Sequence, residues 1–130
     1  VVKLENVLHL YQAVGWTNYT HQPQMLEKSL SHSLAIYLAL DGEAIVGLVR
    51  LVGDGFSSVF VQDLIVLPSH QRQGIGSALM KEALGDFKEV YQIQLATEQT
   101  EKNLGFYRFL GFETLSTYDC TGMIWVERKK

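Results

Sequence analysis

Gln71, Arg72, Gly74 and Gly76 carry the first chemistry legible in this chain of 130 residues. They stand in Val66-Leu67-Pro68-Ser69-His70-Gln71-Arg72-Gln73-Gly74-Ile75-Gly76-Ser77, where an apolar strand ends at a proline and a glycine-rich turn opens a helix. Backbone N–H groups in the first turn of a helix lack intrahelical acceptors, and the helix dipole puts positive potential on them. Such a turn binds anions, phosphate above all. Gly74 and Gly76 let a ligand approach the backbone closely, and Arg72 adds a cation beside the amides. The pattern is not a P-loop, because no Gly-Lys-Ser/Thr follows, and it is not a full dinucleotide fingerprint. A glycine-rich helix start without a ligand has the same appearance, so the turn alone leaves both readings open.

Other chemistries have little support. Cys120 is the one cysteine and has no histidine near it in sequence, so it reads as a structural or surface thiol. His9, His21, His32 and His70 are scattered without metal-ligand spacing, and no metal site is expected. The net charge of −3 comes with no basic stripe, which disfavours nucleic acid and suits a small cationic substrate. No apolar run reaches the roughly 20 residues that span a bilayer, and Val1 to Leu10 lacks a signal-peptide pattern. The expectation is a cytoplasmic chain without a membrane partner. Hydrophobic content of 47% and charged content of 19% are globular values, and the length suits a single domain over residues 1–130.

The elements that must position the turn follow from periodicity. Val2 to Leu4 reads as a short first strand. Val7, Leu10, Tyr11 and Val14 recur at helical spacing, predicting a helix over Asn6 to Ala13 that ends at Gly15. Trp16 to Gln22 reads as a loop, and Pro23 opens a second helix over Gln24 to His32. Leu34 to Leu40 and Ala44 to Val52 are strands joined by an Asp41-Gly42 hairpin turn. Ser58 to Leu67 is the next strand, antiparallel to its predecessor. The helix after Gly76 runs to about Lys88 with Ile75, Leu79, Ala83 and Phe87 on one face. Val90 to Thr97 is a strand, parallel to the strand before that helix because the three form a βαβ unit. Glu101 to Leu110 is a helix closed by Gly111. Phe112 to Leu115 and Met123 to Glu127 read as a terminal pair of strands.

A second segment gives the turn its meaning. Gln71-x-x-Gly74-x-Gly76 after a strand, followed one βαβ unit later by Phe106-Tyr107-x-x-x-Gly111-Phe112, resembles the GNAT superfamily of acetyl-CoA-dependent N-acetyltransferases. The order of elements from Val2 to Arg128 is similar to that fold as well. The resemblance implies an α/β domain with a central mixed sheet of about six or seven strands flanked by about four helices. It implies that Gln71, Arg72, Gln73, Gly74, Ile75, Gly76 and Ser77 grip the pyrophosphate of CoA. It also implies that Leu64, Ile65 and Val66 pair their backbone with the pantetheine arm, where the strands on either side of the βαβ helix diverge. The family's asparagine seven positions before the motif tyrosine is Thr100 here, with Asn103 nearer; both, with Phe106, are candidate cofactor contacts.

By the same resemblance Tyr107 protonates the departing thiolate, a role that suits a phenol protonated at neutral pH. Backbone N–H groups near Val66 would stabilise the negative charge that develops when an amine attacks the thioester carbonyl. A lysine-like amine at pH 7 faces a deprotonation cost on the order of 4 kcal/mol, which calls for a base or an ordered water. Asp63 and Glu98 are the candidate bases. Trp16, Tyr19, Tyr37 and Arg50 are candidate acceptor contacts, aromatic faces being attractive to cations. Arg50 can pair with a substrate carboxylate or with Asp63 across the sheet, and the sequence leaves both open. The expected reaction is acetyl transfer from acetyl-CoA to a small-molecule amine in a ternary complex. A non-catalytic acyl-CoA-binding module and a protein N-terminal or lysine acetyltransferase stand as alternatives, and the resemblance allows a homodimer.

Overall fold

The computed structural model describes residues 2–127, so residues 1 and 128–130 of the expected single domain lie outside it. The chain divides into two compact units, Val1–Leu95 and Ala96–Lys130. The first holds helices α1 (Leu4–Ala13), α2 (Thr17–Thr20) and α3 (Pro23–Ser31), then strands β1 (Ala35–Asp41), β2 (Ala44–Gly53) and β3 (Ser58–Val66), helix α4 (Ile75–Asp86) and strand β4 (Gln92–Leu95). The second holds helix α5 (Glu101–Phe109) and a 3₁₀ turn, Leu115–Tyr118.

The strands lie in the order β1-β2-β3-β4. β1, β2 and β3 are antiparallel neighbours, and β3 pairs with β4 in parallel. The hairpin between β1 and β2 turns at Gly42, whose φ of +62° glycine adopts at little cost. The sheet is covered on both faces, which is why β2 is buried continuously from Val46 to Leu51 rather than in alternation. On one face Val7, Leu10 and Tyr11 of α1 and Leu26 and Leu30 of α3 pack with Leu48 and Ile65. On the other face lies α4, whose Leu79 side chain stands 3.2 Å from where a Cβ on Gly47 would be.

Within β3 the register advances by one residue at Gln62: Asp63 faces Arg50, and Val61 faces Leu51. Directly opposed residues share a sheet face. Arg50 and Leu51 point to opposite faces, so Val61 and Asp63 do too. The β-bulge at Gln62 therefore turns Asp63 toward the α1 side and brings it onto Arg50.

The mixed sheet and its antiparallel-then-parallel pattern are as expected, while its extent differs. There are four strands and five α-helices among the described residues. Val2 to Leu4 does not form a strand: Lys3 is the extended N-cap of α1, and its carbonyl accepts from the Asn6 N–H at 3.0 Å. Trp16 to Gln22 is not all loop, because α2 forms one helical turn there. Phe112 to Leu115 and Met123 to Glu127 form no ladder. Their β-branched and aromatic content favours a strand, but that preference is weak and does not by itself make a ladder. Met123, Ile124 and Val126 are exposed.

Candidate active site

The turn after β3 has the geometry of an anion cradle. Gly74 is the N-cap of α4 with φ +81°, and Arg72 also takes a positive φ, +65°. The first backbone bond closing α4 runs from the Ala78 N–H to the Gly74 carbonyl at 3.0 Å. The N–H groups of residues 72–77 find no acceptor among the described residues, so six consecutive donors stay available at the positive end of a 12-residue helix.

Side chains fasten this turn from behind. Gln71 Nε2 donates to the Val66 carbonyl at 3.0 Å. His70 Nε2 lies 2.9 Å from Asp41 Oδ2, which ties the turn to the β1–β2 hairpin, and its Nδ1 lies 2.7 Å from Ser69 Oγ. No atom lies within 4 Å of where a Cβ on Gly74 would be, so the demand for glycine there is conformational. Gly74→Ala is accordingly expected to cost about 1–2 kcal/mol, the strain of a left-handed L-residue, seen as a drop of several degrees in Tm. An unchanged melt would show that the turn relaxes out of this conformation.

The end of β3 supplies an open edge. β4 pairs only with Ser58 to Val61, and no strand covers β3 beyond that point among the described residues. The Leu67 N–H bonds the Val46 carbonyl at 2.9 Å, which fixes the phase of the antiparallel ladder. Ile65 then exchanges its backbone bonds with Leu48, while Leu64 and Val66 turn their N–H and C=O groups to the open edge. Of the three residues expected to pair with a pantetheine arm, Leu64 and Val66 have the right orientation. Ile65 does not, because its backbone is spent on β2.

Asp63, Arg50 and Tyr19 come together in a buried network. Asp63 is 2% exposed and Arg50 4% exposed. Arg50 Nε donates to Asp63 Oδ2 at 2.7 Å, the Tyr11 hydroxyl donates to the same oxygen at 2.9 Å, and the Tyr19 hydroxyl donates to Oδ1 at 2.8 Å. Arg50 continues to Tyr19 Oη, Ser33 Oγ and the Ser29 carbonyl. Burial, then the Asp63 charge, raises the pKa of both tyrosines. Burial pulls Arg50 down, but Asp63 outweighs it and the guanidinium pKa is raised. Of the two partners open to Arg50, the structure holds Asp63. This geometry argues against Asp63 as a base, since a base must reach its substrate and have an oxygen to spare.

The remaining candidates separate. Trp16 packs its ring on Tyr11 and Tyr19, at 6.1 and 6.2 Å, as part of the same aromatic cluster. Tyr37 goes elsewhere: its hydroxyl donates to Asp86 of α4 at 2.7 Å, and burial with that bond pushes its pKa up to about 12. Trp16, Tyr19, Tyr37 and Arg50 therefore do not line one pocket. Tyr11, Ser33 and Gln62 were not anticipated. Tyr11 sits on the apolar stripe of α1, and only its hydroxyl, at the tip of a buried ring, marks it as a polar partner.

In the second unit Thr100 caps α5, its Oγ1 accepting from the Asn103 N–H at 3.1 Å, and Asn103 Nδ2 donates to Thr97 Oγ1 at 3.1 Å. Both candidate cofactor contacts thus already do local work, in the manner of a helix N-cap. Glu98 is exposed on the segment before α5. Tyr107 sits edge-on to Phe106 at 5.0 Å and to Phe112 at 6.0 Å. The Phe112 N–H bonds the Tyr107 carbonyl at 3.0 Å, so the turn at Gly111, φ +104°, folds the second phenylalanine of the motif back on the tyrosine. The Tyr107 hydroxyl makes no hydrogen bond among the described residues, and burial raises its pKa.

Comparison with known proteins gives one family. Residues 32–114 match the model of the acetyltransferase (GNAT) domain. A solved GNAT-family acetyltransferase from Streptococcus pneumoniae is 80% identical, covers 98% of this chain and 93% of its own, and superposes with a TM-score of 0.91. A GNAT acetyltransferase from Elizabethkingia anophelis, solved with acetyl-CoA bound, shares the fold at 21% identity and a TM-score of 0.61 over 75% of this chain and 65% of its own. Rice chloroplastic serotonin N-acetyltransferase 2 is 32% identical over 70% of this chain and 48% of its own length. The chain spans between about half and two thirds of the length of the curated plant relatives it matches. Among the described residues no helix is long and apolar enough to cross a membrane, and no three potential metal ligands cluster.

Proposed function

This chain belongs to the GNAT acetyltransferase family, and on that premise we propose that it transfers the acetyl group of acetyl-CoA to the amine of a small-molecule acceptor by direct attack. The observation that carries the reading is the row of unpaired N–H groups at residues 72–77, following directly on the open edge at Leu64 and Val66. These residues fit CoA in chemistry: an anion-binding helix start for the pyrophosphate, and strand-edge donors and acceptors for the amides of the pantetheine arm. When bound, acetyl-CoA supplies an activated acyl group on a thiol that leaves as an anion.

The chain's own groups then divide the work. The Val66 N–H faces the open edge and donates to developing negative charge, whereas the Val66 carbonyl is occupied by Gln71. Tyr107 holds a proton on a hydroxyl that makes no hydrogen bond among the described residues, and we assign it the role of general acid. Asp63 stays out of the proton transfers, its oxygens being taken by Arg50, Tyr11 and Tyr19. Removing the amine proton falls to Glu98 or to water.

Release of free CoA thiol from acetyl-CoA, measured with arylalkylamines, polyamines and a lysine peptide, tests the reading. Turnover with a small amine is the expected result. Turnover with the peptide alone would make it a protein acetyltransferase. Binding of acetyl-CoA without thiol release would make it a cofactor-sensing module.

A further inference from the structure

The bulge at Gln62 decides which backbone groups of β3 reach the open edge. A one-residue slip in an antiparallel pair exchanges the groups that face the partner with those that face away. Without the bulge, Ile65 would turn to the edge, and Leu64 and Val66 would turn into the sheet. The register must therefore be held, and the structure shows by what. Gln62 and Asp63, the two residues at the bulge, both bond the Tyr19 hydroxyl: Asp63 Oδ1 accepts from it at 2.8 Å, and Gln62 Nε2 donates to it at 3.4 Å. Arg50 Nη2 donates to the same oxygen at 3.2 Å from β2, the strand across which the register shifts. One hydroxyl thus joins both sides of the bulge, and it comes from α2, a single helical turn.

We propose that Tyr19 is a positioning residue that locks the β3 bulge, and through it the Leu64 and Val66 groups that receive acetyl-CoA; this rests on the donor-binding reading above. The arrangement gives Tyr19 a task on the donor side of the reaction, in place of the acceptor contact its sequence position suggests. Tyr11 supports the carboxylate from α1 without touching Gln62, so its hydroxyl secures Asp63 but not the bulge.

The test compares wild type with Tyr19→Phe, which keeps the ring and removes the hydroxyl. Amide hydrogen exchange at Ile65, whose N–H is bonded to β2, is expected to speed up at least tenfold relative to amides of α4. The Kd for acetyl-CoA is expected to rise about fivefold or more under conditions where both proteins are fully folded. Gln62→Ala removes one exposed side-chain contact and should move both readouts in the same direction by about two- to threefold, which keeps the test open if Tyr19→Phe fails to fold. Exchange at Ile65 that changes only in step with the α4 amides, together with an unchanged Kd, overturns the lock. The exchange measurement reads the lock whether or not acetyl-CoA binds, so a wild type that binds no acetyl-CoA would sink the donor-site reading alone.

Discussion

Tyr107→Phe is expected to lower kcat about 100-fold or more while leaving the Kd for acetyl-CoA within a factor of two. A positioned general acid contributes on the order of 10²–10⁴ in rate, and phenylalanine keeps the ring contacts to Phe106 and Phe112 while removing the hydroxyl that carries the proton. The direction of the pKa shift adds a pH signature. Burial raises the Tyr107 pKa above the ordinary phenol value of about 10, so the donating form persists throughout the neutral and mildly alkaline range. The ratio of wild-type to variant kcat should therefore stay flat from about pH 6 to 9 and narrow only where the phenol ionises, above about pH 10. Steady-state rates across that range measure it. A Tyr107→Phe enzyme with wild-type kcat would remove the tyrosine from the chemistry and leave the proton to solvent.

Arg50→Ala is expected to cost about 3–5 kcal/mol, a large share of the roughly 5–15 kcal/mol that holds a domain of this size. The loss comes less from the Coulomb attraction of the pair than from the stranding of Asp63, buried to 98%, without a counter-charge. Arg50→Lys should recover part of this, since an ammonium restores the charge but cannot serve Asp63, Tyr19 and Ser33 from one planar fork. Urea unfolding followed by circular dichroism reads both. Asp63→Asn should be milder than Arg50→Ala, because an amide oxygen in the place of Oδ2 still accepts from Arg50 and Tyr11, although the amide nitrogen in the place of Oδ1 no longer accepts from Tyr19. If Arg50→Ala unfolds within about 1 kcal/mol of wild type, then water reaches Asp63 and the network is not the closed cluster described here.

The strand–turn–helix geometry around Gly74 was legible in the sequence because it depends on local features. A proline ending a strand, a glycine that tolerates φ +81° and a helix start are all set within a dozen residues, with Gly74 as the N-cap and Gly76 in the first turn of the helix. The capping of α5 and the aromatic turn around Tyr107 are local in the same way. The Arg50–Asp63 network was not legible to that depth, because it depends on a register shift between β2 and β3 that no periodicity reveals. Alternation along β3 places Val61 and Asp63 on the same face, and the bulge separates them. The same shift decides that Leu64 and Val66, and not Ile65, face the open edge. The terminal strands were over-read for a related reason: Met123 to Glu127 has the composition of a strand, and composition does not decide whether a ladder forms.

The proposed chemistry requires that the β3 edge and the start of α4 bind acetyl-CoA. Titrating acetyl-CoA into ¹⁵N-labelled protein tests it directly. Saturable shifts of the backbone amides of Leu64, Val66 and residues 72–77 are expected, with those of Ile65 and the α3 amides little moved. No shift at these amides at millimolar acetyl-CoA, or shifts confined to another surface, would contradict it.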